Sequence, residues 1–338
     1  VSSLVVPITT ISDIRPHPNA DTLDIAQVLG WQVVIKRGTF KTGDNVIYFP
    51  IDTVLPVELS DRLEVTQYLS KQRIRATRLR GEPSFGLVIP CEDAAWEPGQ
   101  NVAEHYGAVK WEPPCRDNDP SNHWHQPHEH PTPRHPLFIH YTDIENLRHY
   151  PDILDENELV VVTEKIHGTN NRIGIIEGEW LAGSHNVERG PGDELYWSPK
   201  PVVERLIEYL GRHHKQVILF GEIFGAAVQS LDYGAAGHAG YRAFDLYVDG
   251  HYLDWATFEL LCHKFNVPTA PLLDFDTFNL ETIRLLSEGP TMLEASHLRE
   301  GVVVKPLVEH NHPKIGRVVL KYVSDTYLLA KKTDFKEE

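Results

Sequence analysis

One lysine sits in a segment with a chemical reading, Val-Val-Thr-Glu164-Lys165-Ile166-His167-Gly168-Thr-Asn170. An ammonium group is no nucleophile. Lys165 becomes one only when a desolvated or cationic neighbourhood raises its neutral fraction. The apolar run before it reads as a strand that delivers the amine to a pocket. Gly168 admits close approach of backbone to a ligand, and His167, Thr169 and Asn170 add polar groups beside it. On these residues alone a solvated surface lysine is the plain alternative.

Further segments supply groups such an amine would need. Phe220-Gly-Glu222-Ile-Phe-Gly225 sets an acid between small residues at an expected strand end. Tyr241-Arg-Ala-Phe244-Asp-Leu-Tyr-Val248 alternates aromatic and apolar groups, as a strand lining a base pocket does. Glu300-Gly-Val-Val-Val-Lys305 places a carboxylate ahead of an apolar strand and a cation at its far end. Arg317-Val-Val-Leu-Lys321-Tyr adds another cation. Each has a structural alternative; a lone Glu-Gly marks a turn more often than a metal site. No glycine-rich loop ending in Lys-Ser/Thr occurs, so a P-loop cradle is excluded.

Taken in this order, the segments resemble the covalent nucleotidyltransferase superfamily, in particular ATP-dependent RNA ligases, over Val160–Tyr322. The resemblance implies that Lys165 accepts AMP and that Glu164, Ile166, His167, Gly168 and Asn170 surround the nucleotide. Leu181-Ala-Gly-Ser-His-Asn186 with Arg189 falls where a ribose- and phosphate-contacting element is expected. Glu222 would contact the nucleoside sugar and, with Glu300, hold metal; Phe244 would stack the adenine. Lys305 and Lys321 would meet phosphate. Where relatives carry two lysines one residue apart in the last motif, Val319 stands in the earlier place, leaving Lys321 and Arg317. ATP is then the co-substrate, Mg2+ or Mn2+ the metal. The partner is RNA, or an RNA-containing duplex, with 5′-phosphate and 3′-OH ends; no membrane or obligate protein partner is implied.

The elements that must position these groups fall into two domains. Through residue 110, short apolar runs at Ile25–Leu29, Trp31–Ile35, Val46–Phe49 and Phe85–Ile89 are separated by glycines, a pattern of small barrels. A short helix fits within Leu55–Leu69. Pro16-His-Pro-Asn-Ala-Asp-Thr-Leu-Asp-Ile-Ala-Gln-Val28 resembles the opening of OB-type domains in tRNA-binding modules, which implies an OB barrel. Residues 111–158 form a proline- and histidine-rich linker with a helix expected over Asp143–His149. Its histidines at 123, 125, 128, 130, 135 and 140 are spaced closely enough for zinc, although proline-broken polar loops are commonly just exposed. Residues 159–332 alternate strands with helices expected at Pro201–Gly211, Asp254–Phe265 and Thr277–Glu288. The fold class is α+β: an OB-like β-barrel, then a nucleotidyltransferase domain with antiparallel or mixed sheets. The stretch after Lys321 is too short for the trailing OB domain of DNA ligases and capping enzymes.

The chain has 338 residues and a formal net charge of −16, which opposes non-specific binding to polyphosphate. Lys71-Gln-Arg-Ile-Arg-Ala-Thr-Arg-Leu-Arg80 runs against that sum and reads either as a local contact for a strand end or as a solvated face. Three separated cysteines give neither a zinc set nor a disulfide framework, and no secretory or spanning segment is apparent, so a reducing, cytoplasmic setting is expected. Two other functions fit parts of the pattern. A GTP-using mRNA capping enzyme shares the lysine chemistry, and a non-catalytic RNA-binding module would need only the OB-like segment.

Overall fold

The structure, a computed structural model, describes residues 4–111, 135–225, 228–229, 231–235 and 237–330. The chain divides into two compact units, Val1–Pro114 and Cys115–Glu338.

In the first unit an antiparallel five-stranded sheet has the order β3-β2-β1-β4-β8. Its members are β1 (Ile8–Pro16), β2 (Leu23–Val28), β3 (Trp31–Lys36), β4 (Asn45–Phe49) and β8 (Leu87–Pro90). Strand β1 pairs with β4 through Ile8–Thr10, then with β2 from Ile11 onward. A register shift between Ile11 and Asp13 bends it between the two partners. The hairpin of β6 (Ala76–Leu79) and β7 (Glu82–Phe85) lies beside β3, where Val34 N donates to Ser84 Oγ at 3.0 Å and Gln32 Nε2 to Pro83 O at 2.8 Å. Trp31, Val33 and Ile35 alternate inward, as a curled half-barrel requires. A two-stranded ladder of β5 (Thr53–Val54) and β9 (Val109–Lys110), a helix α1 (Val57–Arg62) and a 3-10 turn at Thr66–Tyr68 complete the unit. The OB-like opening motif has a local use: buried His17 donates Nε2–H to Leu79 O at 3.0 Å and accepts from Asn19 N at Nδ1, tying the β1–β2 turn to the hairpin.

The second unit holds two larger sheets. One, ordered β10-β22-β19-β11-β18, comprises β10 (Glu145–Asn146), β11 (Leu159–Glu164), β18 (Leu272–Thr277), β19 (Gly301–Pro306) and β22 (Leu320–Val323). Only its β10–β22 pair is parallel. The other is antiparallel, ordered β14-β13-β12-β15-β16-β17. It comprises β12 (Thr169–Ile176), β13 (Glu179–Gly183), β14 (Glu188–Arg189), β15 (Gln216–Phe224), β16 (Gly240–Val248) and β17 (His251–Tyr252). A small ladder of β20 (Asn311–His312) and β21 (Gly316–Arg317) leads into β22.

Helix α2 (Glu194–Trp197) precedes α3 (Lys200–Gly211), which buries Val203, Leu206, Ile207 and Leu210 on one stripe against the six-stranded sheet. Helix α4 (Trp255–Phe265) joins the same core and stops at Asn266, whose φ of +56° makes a left-handed cap. Helix α5 (Leu280–Ser287), capped by Asn279 accepting from Thr282 N, buries Ile283 against Val160, Val162, Val302 and Val304 on the outer face of the five-stranded sheet. The alternating residues Val161 and Lys305 therefore face inward, toward the six-stranded sheet. Helix α6 (Asp325–Leu329) follows β22.

Several local expectations are corrected. Asp143–His149 forms no α-helix, because Glu145–Asn146 joins β22 and only Leu147–His149 makes a 3-10 turn, capped by Asn146. Gly86, at φ +109°, splits the expected Phe85–Ile89 strand. The helix expected over Thr277–Glu288 runs from Leu280 to Ser287, because Thr277 closes a strand and Asn279 caps the helix. Residues 317–323 are not one strand but two short ones. The linker histidines His123, His125, His128 and His130 lie outside the described residues.

Candidate active site

Strand β11 ends at Glu164 and delivers Lys165 to a short loop whose backbone is tied on every side. Glu164 N donates to Pro271 O and Lys165 N to Gly301 O, both at 2.9 Å. His167 N donates to the Tyr233 hydroxyl at 2.7 Å, and Gln229 Nε2 reaches Gly168 O at 3.3 Å. A Cβ on Gly168 would stand 2.1 Å from Ile223 O, so the close approach of β15 by itself requires glycine here.

Lys165 Nζ lies 2.7 Å from Glu300 Oε1, and His167 Nδ1 lies 3.3 Å from Glu300 Oε2. Burial alone would raise the Glu300 carboxyl, but the Lys165 cation and the His167 hydrogen bond hold it down at about 2. Glu222 occupies the interior of β15, not its end, directly opposite Asn170 on one side and Arg242 on the other. Burial pushes its carboxyl up to about 7, with Lys165 opposing that shift and Glu300 adding to it. Two carboxylates beside one lysine are thus driven apart, Glu300 ionised and Glu222 poised to titrate near neutrality. The Asn170 Oδ1 atom is buried there without a hydrogen-bond partner.

Phe244 is half-buried, meets Tyr141 edge-on with centroids 4.8 Å apart, and packs against the cluster containing Ile166. Glu164 is 1% exposed and its carboxylate turns away from Lys165, accepting from the Thr291 hydroxyl and from Met292 N at 2.7 Å. Arg189 is buried, 3.7 Å from the Asp193 carboxylate and stacked on Tyr196. Lys321 faces inward from β22 opposite Val303. With burial and Arg148, it lowers buried His149 to about 4. Val319 is buried.

Lys305 is not gathered into the Lys165 group. It lies four residues beyond Gly301 on β19, roughly 13 Å along the strand. Its ammonium is 2.7 Å from Asp245 Oδ1. Asp245, wholly buried, also takes Arg317 NH2 at 2.8 Å and the Tyr141 hydroxyl at 2.6 Å. Burial would raise its carboxyl, yet Arg317 and Lys305 outweigh that and lower it. This network joins the two sheets and escaped the sequence reading. Its signal was available: a charged residue inside an apolar strand requires a buried cation. Tyr233 and Thr291, on loops remote in sequence, carried no such signal.

Among the described residues no group of three or more His, Cys, Asp or Glu side chains forms a protein-only metal centre. Glu222 and Glu300, with the orphaned Asn170 oxygen, fit instead a hard cation whose remaining ligands are phosphate oxygens and water. No helix among the described residues is long and apolar enough to cross a membrane.

Comparison with known proteins agrees with this geometry. Residues 158–323 match the RNA ligase family model, and residues 5–91 match an OB-fold domain model. No curated protein matches the chain in sequence. Among solved structures, a lysine-to-alanine variant of Naegleria gruberi RNA ligase with ATP and Mn is 26% identical, covers 96% of this chain and 98% of its own, and has a TM-score of 0.79. A glutamate-to-alanine variant of that ligase with AMP and Mn is 27% identical over 97% and 98% of the two chains, with a TM-score of 0.79. The same ligase with PPi gives 27%, 97%, 98% and 0.77.

Proposed function

We propose that this chain, whose residues 158–323 match the RNA ligase family model, seals 3′-OH/5′-phosphate breaks with Lys165 as its AMP-carrying nucleophile. ATP-driven RNA ligase chemistry is supported by the match to the RNA ligase family model and by the similarity to a solved RNA ligase with ATP, AMP and Mn. The finer reading is a nick in a duplex with RNA on the 3′-OH side, joined through lysyl-AMP and AMP-polynucleotide intermediates. The observation that carries Lys165 as the nucleophile is its pairing with Glu300 at 2.7 Å, beside the buried Glu222; the duplex and ribose preference follows from the likeness to RNA ligases.

In the first step Lys165 Nζ attacks the α-phosphorus of ATP, the bond to pyrophosphate breaks, and the amine loses a proton. Glu300 holds the ammonium in place before attack, and the amine must give up a proton before its lone pair can reach phosphorus. Ile166 and Phe244 flank the adenine, with affinity coming from stacking remote from the reacting phosphate. Glu222, Glu300 and Asn170 would hold Mg2+ or Mn2+, which supplies charge neutralisation at phosphoryl oxygens. Lys321, on the inward face of β22, would meet phosphate; Lys305 would act at a distance by fixing Asp245 and the strand that bears Phe244. The AMP then passes to a 5′-phosphate, and a 3′-OH displaces it.

The substrate reading is tested on nicked duplexes that differ only in the sugar at the 3′-OH terminus, with single strands alongside. Sealing that needs ATP, a duplex and a ribonucleotide 3′-OH supports the reading. Equal sealing of DNA termini, or sealing only of single strands, overturns it.

A further inference from the structure

Two loops unused by the mechanism meet at the lysine loop. Tyr233 belongs to the connection between β15 and β16, and His297 to the connection between α5 and β19. Tyr233 is 3% exposed and holds a left-handed backbone at φ +49°, a strained conformation for a bulky aromatic residue. Three contacts keep it there. Its ring packs edge-on to His297, with centroids 4.5 Å apart, and against Phe224 at 5.3 Å. Its own N–H points to His297 Nε2 at 3.3 Å, while His297 Nδ1 lies 2.9 Å from Leu298 O, which fixes the neutral tautomer with its proton on Nδ1. At the neighbouring Gly234 a Cβ would meet Glu294 O at 2.2 Å, so the two loops close tightly on each other.

All of this ordering ends in one hydrogen bond, from His167 N to the Tyr233 hydroxyl at 2.7 Å. Burial, with Glu300, Glu164 and Glu222 nearby, raises the phenol and keeps it protonated. His167 follows Lys165 by two residues and also contacts the Glu300 carboxylate. A shift of the His167 backbone therefore moves both the nucleophile and the carboxylate that holds it. The Glu164 carboxylate, bonded to Thr291 and Met292, anchors the preceding residue to the same α5–β19 connection.

We infer that Tyr233, clamped by His297, is a positioning residue that aims Lys165 for attack on the nucleotide by pinning the His167 N–H. The inference rests on the ligase reading above. It assigns Tyr233 to the first chemical step and not to the last, since closure of a strand that already carries AMP needs no attack by Lys165.

The test compares the unsubstituted chain with Tyr233→Phe and His297→Ala. Lysyl-AMP formation is measured in single turnover across ATP concentrations, and sealing of a pre-adenylylated strand is measured separately. The Phe variant should form the adduct on the order of 10- to 100-fold more slowly at saturating ATP, the scale of a misplacement of about 1 Å. Its half-saturating ATP should stay within about threefold, and sealing of the pre-adenylylated strand within about twofold. His297→Ala, which removes the clamp and leaves the hydroxyl, should show the same split more weakly. An unchanged adduct rate in Tyr233→Phe overturns the inference. So does an equal fall in both reactions, which marks a merely structural residue. Failure of the unsubstituted chain to form any adduct would instead defeat the ligase reading, and that outcome appears before any variant is compared.

Discussion

Lys165 follows β11, Glu300 precedes β19 and Glu222 lies within β15, and their charges settle one another. Glu300 is held at about 2 against the burial that would raise it, so it gives stability above its ordinary value near 4.5, lost as pH falls toward 2. Glu222 has the opposite sign. Its folded form keeps a proton up to about 7 that the unfolded chain releases near 4.5, so it costs stability increasingly as pH rises through that window. Replacing Glu222 with Gln should therefore stabilise the nucleotide- and metal-free protein at pH 8, by on the order of 2 kcal/mol after allowing for its partial exposure, and leave stability at pH 4 nearly unchanged. Urea unfolding of both proteins at the two pH values checks this; a difference independent of pH contradicts it. The residue types at this site were legible in the sequence because a lysine and two acids at strand-like spacing invite the reading. The partners of Glu164 and of the His167 N–H were not, since only folding brings Thr291, Met292 and Tyr233 beside them.

At the level of elements, the two sheets of the second unit are fastened by Asp245. A single buried carboxylate satisfies Lys305 from β19, Arg317 from β21 and Tyr141 from the segment before β10. Arg317 also stacks on Tyr252 at 3.5 Å and pairs with Glu309 at 2.6 Å. Removing the carboxylate leaves two cations buried with half their partners. Asp245→Asn should cost about 3–5 kcal/mol, a fall in melting temperature of about 10 °C for a unit of this size. Scanning calorimetry reads it directly, and a shift below about 2 °C would mean the sheets are held by apolar packing alone. Periodicity located α3, α4 and the strands with the clearest apolar runs, such as β2, β3, β4, β11, β15, β16 and β19, because one-sided burial imprints a stripe or an alternation; it passed over β1, β12 and β13. It also passed over β18 (Leu272–Thr277), and the helix expected over Asp143–His149 from its cap and following proline did not form. There the structure is decided by pairing with a remote strand, β22 or β11, which no local pattern encodes.

Over the whole molecule, a net charge of −16 is set against a local basic run in the first unit. Folding divides that run. Arg73 is buried against Asp52 and stacked 3.7 Å over Trp111, whereas Lys71, Arg78 and Arg80 stay exposed. If these three meet the polynucleotide backbone, Arg78→Glu with Arg80→Glu should weaken RNA binding about tenfold and make it less salt-dependent, without slowing lysyl-AMP formation. Titrations at two salt concentrations decide it, and unaltered affinity would make the hairpin a solvated face. The central claim concerns Lys165 itself. Incubating the protein with α-labelled ATP or GTP and Mg2+ or Mn2+, alongside Lys165→Ala, and mapping the adduct by peptide mass tests it most directly. The account predicts AMP on Lys165, absent from the variant; GMP in its place, AMP on another residue, or no adduct at all would contradict it.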